Sequence, residues 1–167
     1  MQTLHPAYVA GFIDGDGCIS VHRSAGRHYG VQVIVVQAGY DVVEQLCRQY
    51  NGTLAHVRRG NRVYWRWVVA SHLALRVLQD ALPYLIEKHD QAELGIALIK
   101  HIAVKSFLRY QKGKMGTQRT LTEEELAFRE EALARMKALN KRHDTRAAAE
   151  TKPGGSRHSG DAIVRTA

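Results

Sequence analysis

The sequence predicts an α+β domain in the order helix, two strands, helix, two strands, then helices. Three observations predict it. Residues 18–37 and 53–70 are rich in valine and aromatic residues, alternate in polarity and hold a turn signal in the middle. Helix-period apolar patterns lie before, between and after these two stretches. The strands alternate so that one sheet face is apolar, to be covered by helices, while the other stays polar and open.

The first element is a helix from about Ala7 to the Gly15-Asp16-Gly17 sequence. Thr3 is its expected N-cap. Pro6 sits in the first turn, where a missing N–H costs nothing. Ala7, Gly11 and Gly15 lie four apart and share one face. Glycine inside a helix costs about 0.5–1 kcal/mol relative to alanine, and close approach of another backbone is the usual reason to keep it. Asp14 and Asp16 stand at the helix C-terminus. The partial negative charge there disfavours each carboxylate by about 0.3–1 kcal/mol. Two readings stay open. One is a tight turn capped by Gly15 and Gly17, with solvated aspartates. The other is a cation site, since carboxylate and carbonyl oxygens suit Mg²⁺ or Ca²⁺.

Residues 18–24 read as a half-buried strand, with Ile19 and Val21 on one face and Ser20, His22 and Ser24 on the other. Ala25-Gly26-Arg27 is a turn. Residues 29–37 return antiparallel, with Val31, Val33 and Val35 inward and Gly30, Gln32 and Ile34 outward. Asp41 is expected to cap a helix to about Tyr50, whose apolar face is Val42, Val43, Leu46 and Cys47; Asn51-Gly52 ends it. Residues 53–58 turn at Arg59-Gly60-Asn61 and return as 62–70. The return strand places Val63, Trp65, Trp67 and Val69 on one face and Arg62, Tyr64, Arg66 and Val68 on the other. Pairing across this turn puts His56 and Arg58 on the outward face. Ser71 caps a helix to about Leu82, and Pro83-Tyr84-Leu85-Ile86 is a turn. Asp90 opens a longer helix to about Tyr110, with Leu94, Ala97, Leu98, Ile102 and Leu108 inside. Lys112 to Thr117 is a basic loop. Thr122 and Glu125 form a capping box for a last helix to about Asn140, with Leu126, Leu133, Met136 and Leu139 inside.

The 167 residues suit one domain with its own core, assigned to residues 1–140, with 141–167 a basic, disordered tail. The net charge of +8 points to an anionic partner, nucleic acid first, or to solubility alone. Cys18 and Cys47 have no metal-site spacing and fall in apolar runs, so they are expected to be buried thiols in a reduced, intracellular compartment. No signal peptide is visible, and no apolar run reaches the roughly 20 residues of a membrane span. None of the nine histidines forms an HExxH pair.

The outward sheet face then carries Ser20, His22, Ser24, Gln32, His56, Arg58, Arg62, Tyr64 and Arg66, with His28 beside it. The strands hold almost no Asp or Glu. Such a face is either an ordinary solvated surface or one that reads DNA. A two-stranded ribbon fits the major groove, arginine bridges guanine and glutamine pairs with adenine.

Residues 9–17 resemble the signature of the LAGLIDADG homing endonucleases. The match is Ala10-Gly11, the apolar pair Phe12-Ile13, then Asp14-Gly15-Asp16-Gly17. Val9 stands for the usual leucine and Gly15 for alanine, and the likeness covers roughly residues 3–110. Because the motif occurs once, the resemblance implies the single-motif, homodimeric type: an αββαββα fold whose four-stranded antiparallel sheet binds double-stranded DNA, here with extra C-terminal helices. It implies that motif helices of two subunits pack through Ala7, Ala10 and Gly11, with Asp14 in a structural role at the helix end beside that interface. Asp16 would then be the catalytic metal ligand and the Gly15 carbonyl a second, with Mg²⁺ as cofactor and Ca²⁺ or Mn²⁺ able to occupy the site. The run Pro83-Tyr84-Leu85-Ile86-Glu87-Lys88 resembles the segment that supplies a pocket lysine in chloroplast members, which assigns that role to Lys88. Gln37 matches a pocket glutamine more loosely. The usual pocket arginine has no match; Ala38-Gly39-Tyr40-Asp41 occupies the equivalent stretch.

The resulting expectation is a site-specific endonuclease that cuts both strands of a long, near-palindromic target, in the service of intron homing. A maturase or a non-catalytic DNA- or RNA-binding protein of the same fold is the alternative. No nucleotide loop, nucleophile elbow or cofactor motif supports a metabolic enzyme.

Overall fold

Pro6 opens α1, Pro6–Asp16, but the cap is His5 rather than Thr3. The His5 imidazole Nδ1 accepts from the Ala7 amide at 3.2 Å, so a ring nitrogen does the work expected of a hydroxyl. In the computed structural model, residues 3–24, 28–111 and 121–150 are described, with side chains up to Ser106 and from Leu121 to Lys141 for the last two segments. The expected turn at Ala25–Arg27 and the basic loop at Lys112–Thr117 lie outside the described residues, as does the side chain of Leu108.

Four strands follow the expected order: β1, Gly17–Ser24; β2, His28–Gln37; β3, Thr53–Arg59; β4, Arg62–Ala70. They form one antiparallel sheet in the order β1-β2-β4-β3. Between the hairpins runs α2, Tyr40–Tyr50, and after them α3, Ser71–Ala81, a short 3-10 turn at Leu82–Tyr84, α4, His89–Gln111, and α5, Glu123–Glu150. Gly39 and Ala70 occupy the N-cap positions of α2 and α3. Asp41 and Ser71, expected there, lie in the first turns instead. The capping bond of α5 forms as expected, the Glu125 amide donating to Thr122 Oγ1 at 3.2 Å.

The inward faces of β1, β2 and β4 build the core. Ile19, Val31, Val33, Val35 and Trp67 are fully buried, against Val9, Ala10 and Ile13 of α1 and Val43 and Leu46 of α2. Each such side chain contributes about 1.5–3 kcal/mol by leaving water. Trp67 also donates its indole N–H to the Asn51 carbonyl at 2.7 Å. That bond fixes the chain where α2 ends, with φ +62° at Asn51 and +103° at Gly52. A Cβ at Gly52 would stand 2.5 Å from the Val68 carbonyl oxygen, so glycine is required there. Ala97, expected in the core, is exposed, because α4 turns its Ala92, Ile96 and Ile99 side inward. Cys18 is exposed and Cys47 partly so, against the expectation of buried thiols.

Helix α5 extends ten residues past the expected end at Asn140, so the expected tail begins with helix; residues 151–167 lie outside the described residues. It is tied to the first hairpin at two places. Tyr29 donates its hydroxyl to Glu130 at 3.3 Å, with Arg23 at 3.7 Å from the same oxygen. Asn140 donates to the Ile19 carbonyl at 3.0 Å, on the outer edge of β1. Helices α1 to α4 pack against the apolar face of the sheet, and α5 packs against β1 and α4. None of the described helices is long and apolar enough to cross a membrane.

The junction between α1 and β1 has no room for a side chain. A Cβ at Gly17 would meet Ile13 Cα at 2.7 Å and its carbonyl oxygen at 2.8 Å, both backbone atoms. Gly17→Ala should lower stability by about 1–3 kcal/mol in urea unfolding, the usual cost of forced overpacking. An unchanged unfolding midpoint would show that the junction relaxes freely.

Candidate metal centre and nucleic-acid interface

The end of α1 holds two carboxylates with different surroundings. Asp14 is bound within the chain. Its Oδ2 accepts from the Ile86 amide at 2.8 Å and its Oδ1 from the Lys88 amide at 3.0 Å. The Lys88 ammonium donates to the Asp14 carbonyl oxygen, at the negative end of the helix. A cation there offsets the helix dipole, and two amide donors satisfy the carboxylate. Part of what looked like an unexplained acidic cluster is therefore compensated by a loop 74 residues away. Burial pushes the Lys88 pKa below its usual value, while Asp14, Cys18, Glu87 and Asp16 hold it up.

Asp16 is different. It is exposed, and its Oδ2 accepts from the Gln37 side-chain amide. Gln37 ends β2 on the inward side, opposite Trp65. The structure thus brings together Asp16, Gln37, Asp14 and Lys88, the expected site residues nearest the motif. Asp16 Oδ1 and the Gly15 carbonyl are hard oxygen donors at one exposed helix end, a set that fits Mg²⁺ or Ca²⁺. The fit is partial, because one chain offers one such carboxylate.

Ala7, Gly11 and Gly15 lie on the exposed side of α1, and nothing approaches within 4 Å of a Cβ built on either glycine. Ala10 does not belong to that surface. It is fully buried in this chain's own core, packed behind α1, and is unavailable to a partner. Asp14, expected beside the interface, is committed to residues 86–88.

On the open sheet face, Ser20 lies opposite Gln32, His22 opposite Gly30 and Ser24 opposite His28. Gln32 donates its amide to Ser20 Oγ at 3.1 Å. The His22 ring lies over Gly30, where a Cβ would stand 2.6 Å from it. Arg62, Tyr64 and Arg66 share this face, Arg66 beside Val36 of β2. His56 and Arg58 do not. His56 is opposite Trp65 and Arg58 opposite Val63, so both point to the helix side, and His56 packs edge-on against Trp65 at 6.0 Å. Their places are taken by Ala55, Val57 and Arg59. Arg59, which the sequence reading missed, covers the Tyr64 ring at 5.8 Å.

The cause is the turn. Arg59 pairs with Arg62 across a two-residue loop, Gly60-Asn61, with φ +59° at Gly60. A three-residue turn shifts the register by one and inverts every β3 side chain. The signal was present, since a glycine opening a two-residue hairpin loop is a type II′ pattern.

His89, Asp90 and Glu93 place ligand-type atoms within 4.8 Å of one another at the start of α4. Both carboxylates lie in or next to the first turn, where the helix dipole favours them.

A helix ending in paired aspartates, feeding one of two hairpins in a helix-backed antiparallel sheet, is the LAGLIDADG homing-endonuclease fold, and the chain has that fold. Among solved structures, it matches I-CvuI in complex with its target at 22% identity, over 78% of this chain and 93% of that one, with TM-score 0.51. It matches the archaeal intron-encoded homing endonuclease I-Vdi141I complexed with DNA at 15% identity, over 81% and 96%, with TM-score 0.52. It matches the LAGLIDADG homing endonuclease I-SmaMI, bound to cleaved DNA, at 22% identity over 75% of this chain but 47% of that one, with TM-score 0.51. No protein-family model and no curated protein sequence matches.

Asp14→Ala removes both acceptors for the 86–88 amides. Stability should fall by about 1–2 kcal/mol, and amide exchange at Ile86 and Lys88 should accelerate. Unchanged exchange at those two amides would mean that the tether does not form in solution.

Proposed function

We propose that this chain is a metal-dependent, site-specific endonuclease that cuts double-stranded DNA as a homodimer. The observation that carries the proposal is the position of Asp16. Its carboxylate is exposed at the end of α1, beside a bare small-residue helix face on one side and an open basic sheet on the other. One chain supplies half of a two-carboxylate site. Packing two α1 helices through Ala7, Gly11 and Gly15 brings two copies of Asp16 together. In support, this chain spans about half of the I-SmaMI chain, which is bound to cleaved DNA. I-CvuI was crystallised with its target in the presence of Ca, and in the presence of Mg with the I-CreI target DNA not cleaved.

Asp16 and the Gly15 carbonyl would hold the cation, with Mg²⁺ the working ion and Ca²⁺ or Mn²⁺ able to replace it. A divalent cation supplies charge neutralisation and an activated water for phosphodiester hydrolysis. Gln37 orients the Asp16 carboxylate through its amide. Lys88, held by Asp14, adds positive charge where the phosphate must sit. The open face of the sheet lies in the major groove, where Arg62, Tyr64, Arg66, Gln32 and His22 meet base edges and phosphates. A two-fold dimer calls for a near-palindromic target, and intron homing is the biological setting this implies.

Cleavage of a randomised near-palindromic duplex library with Mg²⁺ tests the reading. One enriched cut site is expected, absent with Asp16→Asn. Selective binding without cutting by the parent protein points instead to a non-catalytic binder or maturase of the same fold.

Gly11→Leu tests the dimer separately. The new side chain meets nothing in its own chain, so the folded monomer should keep its thermal stability while sedimentation shows loss of the dimer and cleavage is lost. A variant that stays dimeric and active would remove α1 from the interface.

A further inference from the structure

Polar and apolar residues are segregated on the open sheet face. His22, Ser24 and His28 gather toward the tip of the β1–β2 hairpin, and Arg59, Arg62 and Tyr64 toward the tip of β3–β4. The pairing of β2 with β4 makes these tips point in opposite directions. Residues 28–31 of β2 run past one end of β4, and residues 62–64 of β4 run past the end of β2. Between the tips lies an apolar row across three adjacent strands. Cys18 is opposite Ile34, and Ile34 is opposite Val68. Cys18 is exposed and Ile34 and Val68 are partly exposed, and among the described residues no helix covers this side. The row starts two residues after Asp16.

Leaving Ile34 and Val68 partly exposed forgoes burial that the inward valines of the same strands obtain. Arg59 and Arg62 at the β3–β4 tip and Arg66 beside the row select a polyanion as the occupant, by charge complementarity. In a B-DNA major groove, the apolar group a base pair presents is the C5-methyl of thymine. Cytosine amino and guanine carbonyl groups in its place would lose water against apolar side chains without gaining a partner.

We propose that the Cys18–Ile34–Val68 row contacts thymine methyl groups, so that each half-site carries A·T pairs at the positions nearest the scissile phosphates. The pairs read by hydrogen bonding then lie on both sides of this methyl-read segment. The proposal rests on the DNA-endonuclease reading, which assigns this face to the major groove. It names a substrate feature that neither Asp16 nor the polar tips determine.

The test deletes the methyl group alone. Once a cognate duplex has been selected from the library, each thymine of a half-site is replaced in turn by deoxyuridine and binding is measured in Ca²⁺. A loss of about fourfold per methyl is expected, the equivalent of one buried carbon, confined to the thymines nearest the cut. Val68→Thr, which keeps the shape and replaces a methyl by a hydroxyl, should erase the sensitivity at its position. Arg62→Ala should leave it intact. Ile34→Ala provides a second variant if Val68→Thr lowers the melting temperature. Indifference to uracil at every position, or a selected site with only G·C pairs next to the cut, overturns the proposal and leaves the endonuclease reading standing. A protein that selects no duplex overturns both.

Discussion

The bond between Asp14 and the 86–88 segment is the constraint on which the candidate site depends. A carboxylate near a helix C-terminus is electrostatically misplaced. Here it becomes tolerable because one oxygen takes the Ile86 amide and the other the Lys88 amide. The same contact delivers the Lys88 ammonium to the last turn of α1. One tether therefore fixes the helix end, neutralises part of its negative potential and sets a half-buried cation beside Asp16. The lowered pKa of Lys88 follows from the burial that this docking imposes.

The second constraint is the missing side chain at Gly17. The chain passes from helix to strand with Ile13 backbone in the space a Cβ would need. This close passage seats β1 directly under α1, so that Asp16 leaves the helix at the sheet edge and reaches Gln37 at the end of β2. The Asp16 carboxylate and the first residue of the open face, Cys18, are then two residues apart. The candidate ligand and the open sheet face share one short segment, held by the core on one side and exposed on the other.

The strand faces show how far local pattern carries. In β1, β2 and β4 the alternation of apolar and polar residues predicts the inward and outward sets, because Ile19, Val21, Val31, Val33, Val35, Trp67 and Val69 are all buried. In β3 it does not. Only Leu54 and Val57 of that strand are large and apolar, they lie three apart, and period two cannot choose between them. Its face is decided by pairing with β4. One register, set by the two-residue loop, turns His56 and Arg58 to the helix side and Arg59 to the open face.

The order of elements and the motif helix were legible in the amino-acid sequence alone, and its family resemblance singled out Asp16, Gln37 and Lys88 as candidate site residues, which the structure brings together. Helical and strand periodicities and glycine signals act over a few residues and survive into the fold. Three things were decided by tertiary structure. Ala10 and Gly11 are neighbours in the motif, yet α1 turns one into the core and the other to solvent. Asp14 finds its donors 72 and 74 residues away. The two hairpins pair so that their polar tips diverge and leave Cys18, Ile34 and Val68 between them. Each depends on a helix rotation, a long-range hydrogen bond or a strand register. Those are set by how the whole core closes, for which no short stretch of sequence holds the information.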